Sequence, residues 1–464
     1  MREALAGVEG VWLVGGVVRD RLLGRAAEDV DLAVAGDVRA VAKRLARAVG
    51  GPAFELSDDF GAWRVIGTER AWQADLSPLQ GATIEDDLGQ RDFTVNAMAE
   101  PLAGGEPIDP FGGARDLAER TLRAVGPRSF ADDALRVLRV ARIACELDLT
   151  PDAETVAAAA AHAPRLREIA QERVFAELKR IVSADRALAG LDLAARTGAL
   201  DAVLPELEAL RGVEQTVYHH RDAYGHTLEV LDHAIALERD PAGVLADDEL
   251  GGRVADFQTQ PLADELTRAQ ALRFAALLHD AAKPMTQTPN PKGGYGFPGH
   301  DCVGATLVEE VLARLRTSVE LRRHVAALTR HHLRPGFLVH ARPLPPRTVY
   351  GYLKATEPVE VDTLLLSVAD RCATRGRKAD EAIARHLGLV RELLPRALDW
   401  HEHGPPPPLI RGNDLARELE IAPGPELGHL LAELAEAQYA GEITTPEQAL
   451  ALSRGLRASG PRRR

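Results

Sequence analysis

A strand, a Gly-Gly turn, a helix and a second strand with paired aspartates follow one another near the N-terminus. Residues 11–34 read VWLVGGVVRDRLLGRAAEDVDLAV, so Asp29 and Asp31 lie one residue apart in an apolar run. Because side chains alternate along a strand, both carboxylates lie on one face and Leu32 lies on the other. This order predicts an α/β segment that collects two negative charges on one side of its sheet.

The paired carboxylates and the glycine turn indicate metal and phosphate chemistry. Two adjacent anions repel unless a cation compensates them, and carboxylate oxygens favour Mg²⁺, which commonly also binds phosphate oxygens. Gly15 and Gly16 would let backbone N–H groups approach a phosphate at a helix N-terminus, where Arg19 adds a positive charge. Asp75, on another predicted strand, is a candidate third carboxylate. Either feature alone is more often structural, because short motifs frequently match by chance.

The chain is too long for one core and is predicted to be mainly helical beyond residue 127. Its 464 residues exceed the usual size of a single domain, and an aromatic content of 4% argues against a β-sandwich. Short Val/Leu runs alternate with helical stretches up to residue 127, including an amphipathic helix over 38–49. Leu, Ala and Arg then recur at helical spacing, with Ser129 as a candidate N-cap. We therefore predict an α+β fold in which a small mixed sheet precedes mostly helical domains.

Charge and cysteine content bound the environment and the partners. The net charge of −13 argues against broad nonspecific binding to nucleic acid, although a local basic surface could hold one RNA. Three dispersed cysteines without a CxxC motif indicate neither a disulfide framework nor a thiolate zinc site, which fits a reducing cytoplasm. The apolar run at 11–18 is too short for a signal peptide or a membrane span. We predict a soluble, cytoplasmic protein.

Further blocks in the first 200 residues resemble one enzyme family. They are RDFTVNAMA at 91–99, DPFGGARDL at 109–117, DDALRVLRVARIACEL at 132–147 and QERVFAELKR at 171–180. With the Gly-Gly-x-Val-Arg-Asp, Leu-Leu-Gly and Asp-x-Asp motifs, they resemble the class II tRNA CCA-adding enzymes and the related bacterial poly(A) polymerases. Gln90 and Asp132 depart from the family, which commonly has arginine and glutamate there. The resemblance implies a nucleotidyltransferase head with a polymerase-β-like fold.

The resemblance also implies an activity and a set of site residues. The activity is addition of C or A nucleotides to the 3′ end of tRNA from CTP and ATP, with pyrophosphate release and two Mg²⁺ ions. The catalytic carboxylates would be Asp29, Asp31 and Asp75. The nucleotide would be bound by the glycine turn, the Arg-Asp-Phe block and the neck helix, through Gly15, Gly16, Arg19, Arg91, Asp92, Asn96, Asp133, Arg136 and Arg139.

Asp133 and Arg136 are three residues apart, which predicts that they share a helix face. By resemblance they would read the base, since a carboxylate accepts from an exocyclic amine and a guanidinium donates to ring acceptors. The product stays open among CCA, CC, A alone and poly(A) on other RNAs. A further alternative is a phosphohydrolase with an inactive head.

Histidines cluster in the second half of the chain. His279-Asp280 ends an apolar helical run, His226 precedes the pair, and His300, His331 or His332, and Asp370 follow it. This order resembles the HD metal-dependent phosphohydrolase domain. Imidazole with carboxylate suits Mn²⁺, Ni²⁺, Fe²⁺ or weakly held Mg²⁺, and Lys283 could meet a phosphate. The metal ligands we select are His226, His279, Asp280, His300, His331 and Asp370.

Four domains follow from these patterns. Two interruptions indicate boundaries or insertions, the polar and acidic segment 239–265 and the proline run that begins at Pro405. The predicted domains are a nucleotidyltransferase head at 1–127, a helical neck at 128–215, an HD domain at 216–403 and a helical tail at 404–464. The tail's acidic amphipathic helices are expected to pack rather than to catalyse. The sequence leaves the oligomeric state open.

Overall fold

The chain forms two compact units in a computed structural model. Unit 1 spans Met1–Pro205 and unit 2 spans Glu206–Arg464. The structure describes residues 1–26, 29–57, 61–68, 72–216, 219–290, 294–376 and 378–458. Among these residues, no helix is both long and apolar enough to cross a membrane.

Unit 1 is built on a six-stranded mixed sheet, which confirms the predicted α+β class. Its strands are β1 (Val11–Val14), β2 (Asp29–Val34), β3 (Ala53–Ser57), β4 (Ala62–Ile66), β5 (Gln73–Pro78) and β6 (Ala99–Pro101). Their spatial order is β3-β4-β5-β2-β1-β6. Strands β2 and β5 run parallel, while the other neighbouring pairs are antiparallel. The parallel register sets Asp31 directly opposite Asp75.

Helices cover the sheet of unit 1 and continue beyond it. They are α1 (Gly16–Leu22), α2 (Val38–Val49), α3 (Ile84–Gly89), α4 (Gly113–Ala118), α5 (Ser129–Asp132), α6 (Arg136–Leu147), α7 (Ala153–His162), α8 (Gln171–Ser183), α9 (Ala187–Arg196) and α10 (Ala199–Val203). Helix α11 (Pro205–Glu208) begins at the last residue of unit 1, and its other residues belong to unit 2. Two further strands of two residues each, β7 (Thr121–Leu122) and β8 (Thr150–Pro151), pair in parallel.

Helix α2 shows how local sequence sets these elements. The Asp37 side chain accepts a hydrogen bond from the Ala40 N–H and so caps the N-terminus, while Gly50 ends the helix in the left-handed conformation at φ 67°. Between the caps, apolar residues recur at helical spacing and bury one face against the sheet, namely Val38, Val41, Ala42, Leu45 and Ala46. The bounds match the predicted helix over 38–49.

The predicted neck helix is interrupted. Helix α5 ends at Asp132 and α6 begins at Arg136, with Asp133 between them in an extended conformation at φ −146° and ψ 106°. The expectation that Asp133 and Arg136 share one helix face is therefore wrong. Its physical cause is that the Asp133 carboxylate accepts from the Leu135 N–H, which competes with helical pairing. Ser129 is the first helical residue rather than the N-cap, which is Arg128.

Unit 2 is almost entirely helical. Its helices are α12 (Ala223–Arg239), α13 (Pro241–Leu245), α14 (Asp248–Gln258), α15 (Arg268–Leu278), α16 (Lys283–Thr286), α17 (His300–Arg314), α18 (Val319–His331), α19 (Arg334–Leu338), α20 (Pro346–Thr356), α21 (Glu360–Ala373), α22 (Ala379–His403), α23 (Gly412–Glu418), α24 (Pro425–Tyr439) and α25 (Pro446–Ala458). Short strand pairs are β9 (Pro261–Ala263) with β10 (Leu266–Thr267), and β11 (Thr288–Pro289) with β12 (Tyr295–Gly296).

The polar segment 239–265, which the sequence marked as a boundary or an insertion, contains helices α13 and α14. Asp240 and Asp247 cap helices α13 and α14 through their carboxylates. Beyond the proline run, the tail helices bury a leucine-rich core of their own, made by Leu415, Leu419, Leu427, Leu430 and Leu434 with Ala437, Ile443 and Ala449. This core agrees with a packing role for the tail.

The sheet core of unit 1 gives a stability prediction. Leu45 is fully buried beneath the sheet, so Leu45→Ala should lower the free energy of unfolding of unit 1 by about 2–5 kcal/mol through lost burial and a residual cavity. Denaturant unfolding followed by tryptophan fluorescence reports mainly on this unit, which holds Trp12, Trp63 and Trp72. The control Leu22→Ala, at a leucine that is 57% exposed, should change stability by less than about 0.5 kcal/mol. Equal effects of the two substitutions would contradict the assigned core.

Candidate active site and metal cluster

The paired aspartates of β2 open onto a charged cleft in unit 1. Asp29 and Asp31 are exposed, while Leu32 on the opposite face is buried, as strand alternation requires. The cleft has a volume of about 510 Å³, and seven arginines and six aspartates are among the residues that line it. Such a lining suits a ligand that carries its own negative charge together with a bound cation.

Electrostatics at Asp31 fit a divalent cation. Desolvation by the cleft walls raises the pKa of the Asp31 carboxyl, Asp75 and Asp29 raise it further, and Arg91 opposes them. A divalent cation between Asp29 and Asp31 would remove this repulsion, and an all-oxygen donor set is the kind that Mg²⁺ prefers. These two residues therefore fit a magnesium site.

Asp75 is adjacent to this pair but is already engaged. Its two carboxylate oxygens accept hydrogen bonds from Nε and Nη2 of Arg64, both at 2.7 Å. This bidentate pairing gives Asp75 a counter-charge of its own. The structure thus brings Asp75 beside Asp31, as sequence analysis expected, but with both of its oxygens bound by an arginine that sequence analysis missed.

The glycine turn approaches the carboxylates closely. Gly15 has φ 73° and precedes helix α1, and its N–H donates to the Met98 carbonyl. A Cβ at Gly15 would lie 2.6 Å from Nη1 of Arg91 and 3.7 Å from Oδ2 of Asp31. Both the positive φ and the lack of space therefore require glycine. Gly16 is the first residue of α1, and Gly15, Gly16 and Val17 line the cleft.

A chain of hydrogen bonds connects α1 to the neck. Arg19 donates from Nη1 to Oδ1 of Asn96 at 2.6 Å, and Asn96 donates to Oδ1 of Asp92 at 3.0 Å. The other oxygen of Asp92 accepts from Nε of Arg139 at 2.7 Å. Burial alone would raise the pKa of Asp92, but Arg139, Asn96 and the Phe93 N–H together lower it. These residues, predicted as separate nucleotide contacts, form one connected network.

Arg91 and Arg136 are held by different groups. Arg91 pairs with Asp87, at 3.1 Å from Nη2 to Oδ2. The guanidinium of Arg136 donates to the carbonyls of Gln90 at 2.6 Å, Ser129 at 3.1 Å and Arg91 at 3.3 Å. It thereby braces the Arg-Asp-Phe block against the start of α6. For Arg136 to donate hydrogen bonds to a base, its guanidinium would have to release some of these carbonyls.

Asp133 lines the same cleft and is paired with Arg173 of α8, at 2.7 Å. Sequence analysis missed further charged residues of this wall. Arg142 and Arg180 also line the cleft, and Glu146 pairs with both of them. The spacing of Arg139, Arg142 and Glu146 along one helix was the available signal.

Unit 2 carries a second, separate group of chemistry-bearing residues. Six residues converge at one end of the helices. They are His226 of α12, His279 and Asp280 at the end of α15, His300 of α17, His332 after α18 and Asp370 of α21. Except for Asp370, which is partly exposed, these residues are buried. Four of them, Asp280, His300, His332 and Asp370, line a cavity of about 470 Å³, which Lys283 and Arg371 also line.

Buried polar atoms in this group indicate metal ligation. Nδ1 of His279, His300 and His332 lies 2.9, 2.7 and 2.6 Å from a backbone carbonyl of Ala276, Phe297 and Thr329, respectively. Such pairing places the ring proton on Nδ1 and leaves Nε2 as a bare donor to a metal. Nε2 of His279 lies 3.1 Å from Oδ2 of Asp280, and Nζ of Lys283 lies 2.6 Å from the same oxygen. The donor set therefore fits a divalent transition metal.

His331 does not belong to this group, which corrects our selection. Its Nδ1 accepts a hydrogen bond from Nε of Arg334 at 2.8 Å, whereas Nε2 of His332 lies 3.3 Å from Nε2 of His300. Helix α18 ends at His331, and the turn that follows points only the next residue inward. Sequence analysis named both histidines. Because α18 ends at His331, the structure places His332 in the group and leaves His331 outside it.

Comparison with known proteins matches these features along the chain. A poly(A) polymerase head domain model matches residues 11–123, a probable RNA- and SrmB-binding site of polymerase A matches 148–210, and an HD domain matches 223–375. An A-adding tRNA nucleotidyltransferase of Deinococcus radiodurans is 36% identical over 95% of this chain and 94% of that protein. This chain is a tRNA nucleotidyltransferase family member.

Other relatives extend the comparison. A CC-adding tRNA nucleotidyltransferase of Thermus thermophilus is 34% identical over 94% of this chain and 92% of its own length. The Thermotoga maritima CCA-adding enzyme, solved in complex with tRNA, aligns with a TM-score of 0.61 at 20% identity, over 96% of this chain and 91% of that one. This structural likeness shows a shared fold.

The environment of Asp31 gives a prediction for this member of the tRNA nucleotidyltransferase family. Arg91 lowers the pKa of the Asp31 carboxyl, so Arg91→Gln should raise that pKa above its value in the unaltered protein. Titration of carboxyl ¹³C shifts in metal-free protein with labelled aspartate would measure the change. Arg47→Gln, at an exposed residue of α2, is the control and should leave the titration unchanged. An unchanged Asp31 titration in Arg91→Gln would contradict the electrostatic assignment.

Proposed function

We propose that this protein adds C nucleotides, A nucleotides or both to the 3′ end of tRNA, from CTP and ATP, with release of pyrophosphate. The observation that carries the proposal is the pair Asp29 and Asp31, presented by β2 in an arginine-lined cleft beside the glycine turn. Relatives named as A-adding and CC-adding tRNA nucleotidyltransferases match nearly the whole chain, which supports tRNA as the acceptor. The cytoplasm, where tRNA is processed, is the location we propose.

Asp29 and Asp31 would hold Mg²⁺ and present it to the reacting groups. When bound, Mg²⁺ lowers the pKa of the RNA 3′-hydroxyl and neutralises charge on the α-phosphate and the pyrophosphate leaving group, and two ions would do so together. The strand holds both carboxylates on one face, so they converge without rearrangement. Asp75 would support this site through its position beside Asp31, with Arg64 holding its orientation.

The glycine turn and the adjoining network would bind the triphosphate and the sugar. Backbone N–H groups at the start of α1 suit phosphate oxygens, because they have no partner within the helix. Arg19 and Arg91 add positive charge at the same end of the cleft. Asn96 and Asp92 hold Arg19 and Arg139 in place, so the network fixes where these charges point.

Base selection would depend on Asp133, Arg136 and Arg139. A carboxylate accepts from the N4 amine of C or the N6 amine of A, and at the equivalent positions U and G present the carbonyl oxygens O4 and O6. Asp133 lines the cleft, but Arg173 competes for its carboxylate. Arg139 is bound to Asp92, which makes it a positioning residue for the network and a candidate contact to the nucleotide.

Labelled ATP and CTP, offered separately and together with Mg²⁺, test the reaction. The acceptors are tRNAs that end before CCA, after C and after CC. Addition of CCA to the shortest acceptor identifies a full CCA enzyme, CC alone a CC-adding enzyme, and A on the CC end alone an A-adding enzyme. A long A ladder on unrelated RNA would favour the poly(A) polymerase alternative.

The matched controls for this experiment are aspartate variants of unit 1. Asp29→Ala and Asp31→Asn should reduce incorporation at least about 100-fold, since charge stabilisation at the reacting phosphate is lost. Asp192→Ala, at an exposed residue of α9, should retain full activity. Absence of incorporation by folded protein, with every acceptor, would favour the phosphohydrolase alternative with an inactive head.

Base selection gives a separate prediction. Asp133→Ala should raise incorporation of UTP and GTP relative to CTP and ATP, because the acceptor for the exocyclic amine is lost. Asp132→Ala is the matched control, since Asp132 is the preceding residue and pairs with Arg128 on the surface. Competition between labelled nucleotides measures the ratio. If Asp133→Ala lowers incorporation of all four nucleotides equally, Asp133 is structural and the base-reading role is wrong.

A further inference from the structure

We propose that Gln73 is a positioning residue for the magnesium site of unit 1, and that its side-chain amide holds the Asp29 carboxylate in the orientation that binds the ion. The observation is a hydrogen bond of 2.6 Å from Nε2 of Gln73 to Oδ1 of Asp29. Both residues line the charged cleft. This inference rests on the proposed function, because it concerns the ion that nucleotide addition would use.

Strand pairing sets Gln73 beside Asp29. Strands β2 and β5 run parallel, with Asp29 opposite Gln73 and Asp31 opposite Asp75. Because side chains alternate along each strand, these four side chains lie on one face of the sheet. Ala74, between Gln73 and Asp75, is fully buried on the other face. The register of the sheet therefore fixes where the side chain of Gln73 starts, and its amide reaches the neighbouring strand.

Hydrogen-bond chemistry decides which side of the amide faces the carboxylate. An ionised carboxylate only accepts hydrogen bonds, so Gln73 must turn its NH₂ group, and not its carbonyl oxygen, towards Asp29. The hydrogen bond occupies Oδ1 of Asp29 and leaves Oδ2 for an ion. Mg²⁺ demands near-ideal octahedral geometry, so a carboxylate that a neighbouring group already orients binds it more tightly than a freely rotating one.

Gln73 supplies this hydrogen bond without adding charge. Strands β2 and β5 already bring three carboxylates to one face, those of Asp29, Asp31 and Asp75. Arg64 offsets the charge of Asp75 by binding both of its oxygens at 2.7 Å. An ionised glutamate at position 73 would have the same length but no hydrogen to donate, and it would add a fourth negative charge. An amide at this position orients Asp29 without repelling it.

Magnesium binding at Asp29 is the direct test, with Mg²⁺ alone as the probe. Full-length protein with ¹³C-labelled aspartate carboxyls is titrated with Mg²⁺ in the absence of nucleotide. The resonances of Asp29 and Asp31, assigned through Asp29→Asn and Asp31→Asn, report on unit 1 separately from any ion bound in unit 2. The variant Gln73→Met keeps the length of the side chain and loses the N–H donor. We expect its titration midpoint to lie at a Mg²⁺ concentration at least about 10-fold higher than in the unaltered protein.

The matched control is Ser77→Ala. Ser77 is an exposed residue of β5, two positions beyond Asp75 on the same face, and pairs in register with Ala33 rather than with a carboxylate. Its substitution should leave the Mg²⁺ midpoint unchanged. Gln73→Ala is a second variant without the donor and should shift the midpoint in the same direction as Gln73→Met, and circular dichroism identifies any variant that fails to fold.

Nucleotide incorporation separates positioning of the ion from a general structural defect. In Gln73→Met, the Mg²⁺ concentration for half-maximal incorporation should rise by a factor similar to that of the titration midpoint, and saturating Mg²⁺ should restore most of the rate. The KM for the acceptor tRNA at saturating Mg²⁺ should not change. A structural defect would instead lower the thermal midpoint and the rate at every Mg²⁺ concentration.

The outcomes distinguish this inference from the proposed function. If the unaltered protein binds Mg²⁺ at Asp29 and incorporates nucleotides, but folded Gln73→Met has the same Mg²⁺ midpoint, the role of Gln73 is wrong and the proposed function stands. An equal shift in Ser77→Ala would also overturn the role of Gln73. If Mg²⁺ leaves the Asp29 and Asp31 resonances of the unaltered protein unchanged and no nucleotide is incorporated, the proposed function fails, and the inference fails with it.

Discussion

A buried carboxylate, Asp92, holds the functional part of unit 1 together. It is 5% exposed, and it accepts hydrogen bonds from the Phe93 N–H, Asn96 and Arg139. Burying the Asp92 carboxylate without these partners would lower stability by several kcal/mol, or the carboxylate would take up a proton. The hydrogen-bond network is therefore necessary for Asp92 to stay both buried and ionised. Through Asn96 it fixes Arg19 on α1, and through Arg139 it fixes α6. The Asp92 carboxylate thereby connects α1 on one wall of the cleft with α6 on the other.

Both sites contain carboxylates whose negative charge must be offset, and the two sites do so with different neighbouring groups. In unit 1, carboxylates meet across neighbouring strands, and Arg64 and Arg91 offset their repulsion. In unit 2, burial alone would raise the pKa of Asp280, but His279 and Lys283 hold it well below its usual range. Oxygen-rich and nitrogen-rich donor sets differ in metal preference, and the two sites offer one of each.

Much of the fold and part of each site were predictable from sequence. Strand β2 and helix α2 carry strong periodicity and local caps, and so they were located correctly. The break before Arg136 was not predictable, because it depends on Asp133 capping a turn while Arg136 reaches three carbonyls, two of them in another segment. Arg64 was missed for a related reason. Its partner Asp75 lies on a neighbouring strand, and sequence periodicity does not reveal which strands pair.

The sequence by itself determined which residue types are present and on which face of a local element they lie. Alternation places Asp29 and Asp31 together, and the glycine turn follows from residues that tolerate positive φ. Only the tertiary structure decided which charges meet. It selected His332 over His331 through the end of α18, and it set Asp280 between two pairs of histidines from four different segments. Local periodicity carries no information about such distant pairings, because they are fixed by helix packing and burial.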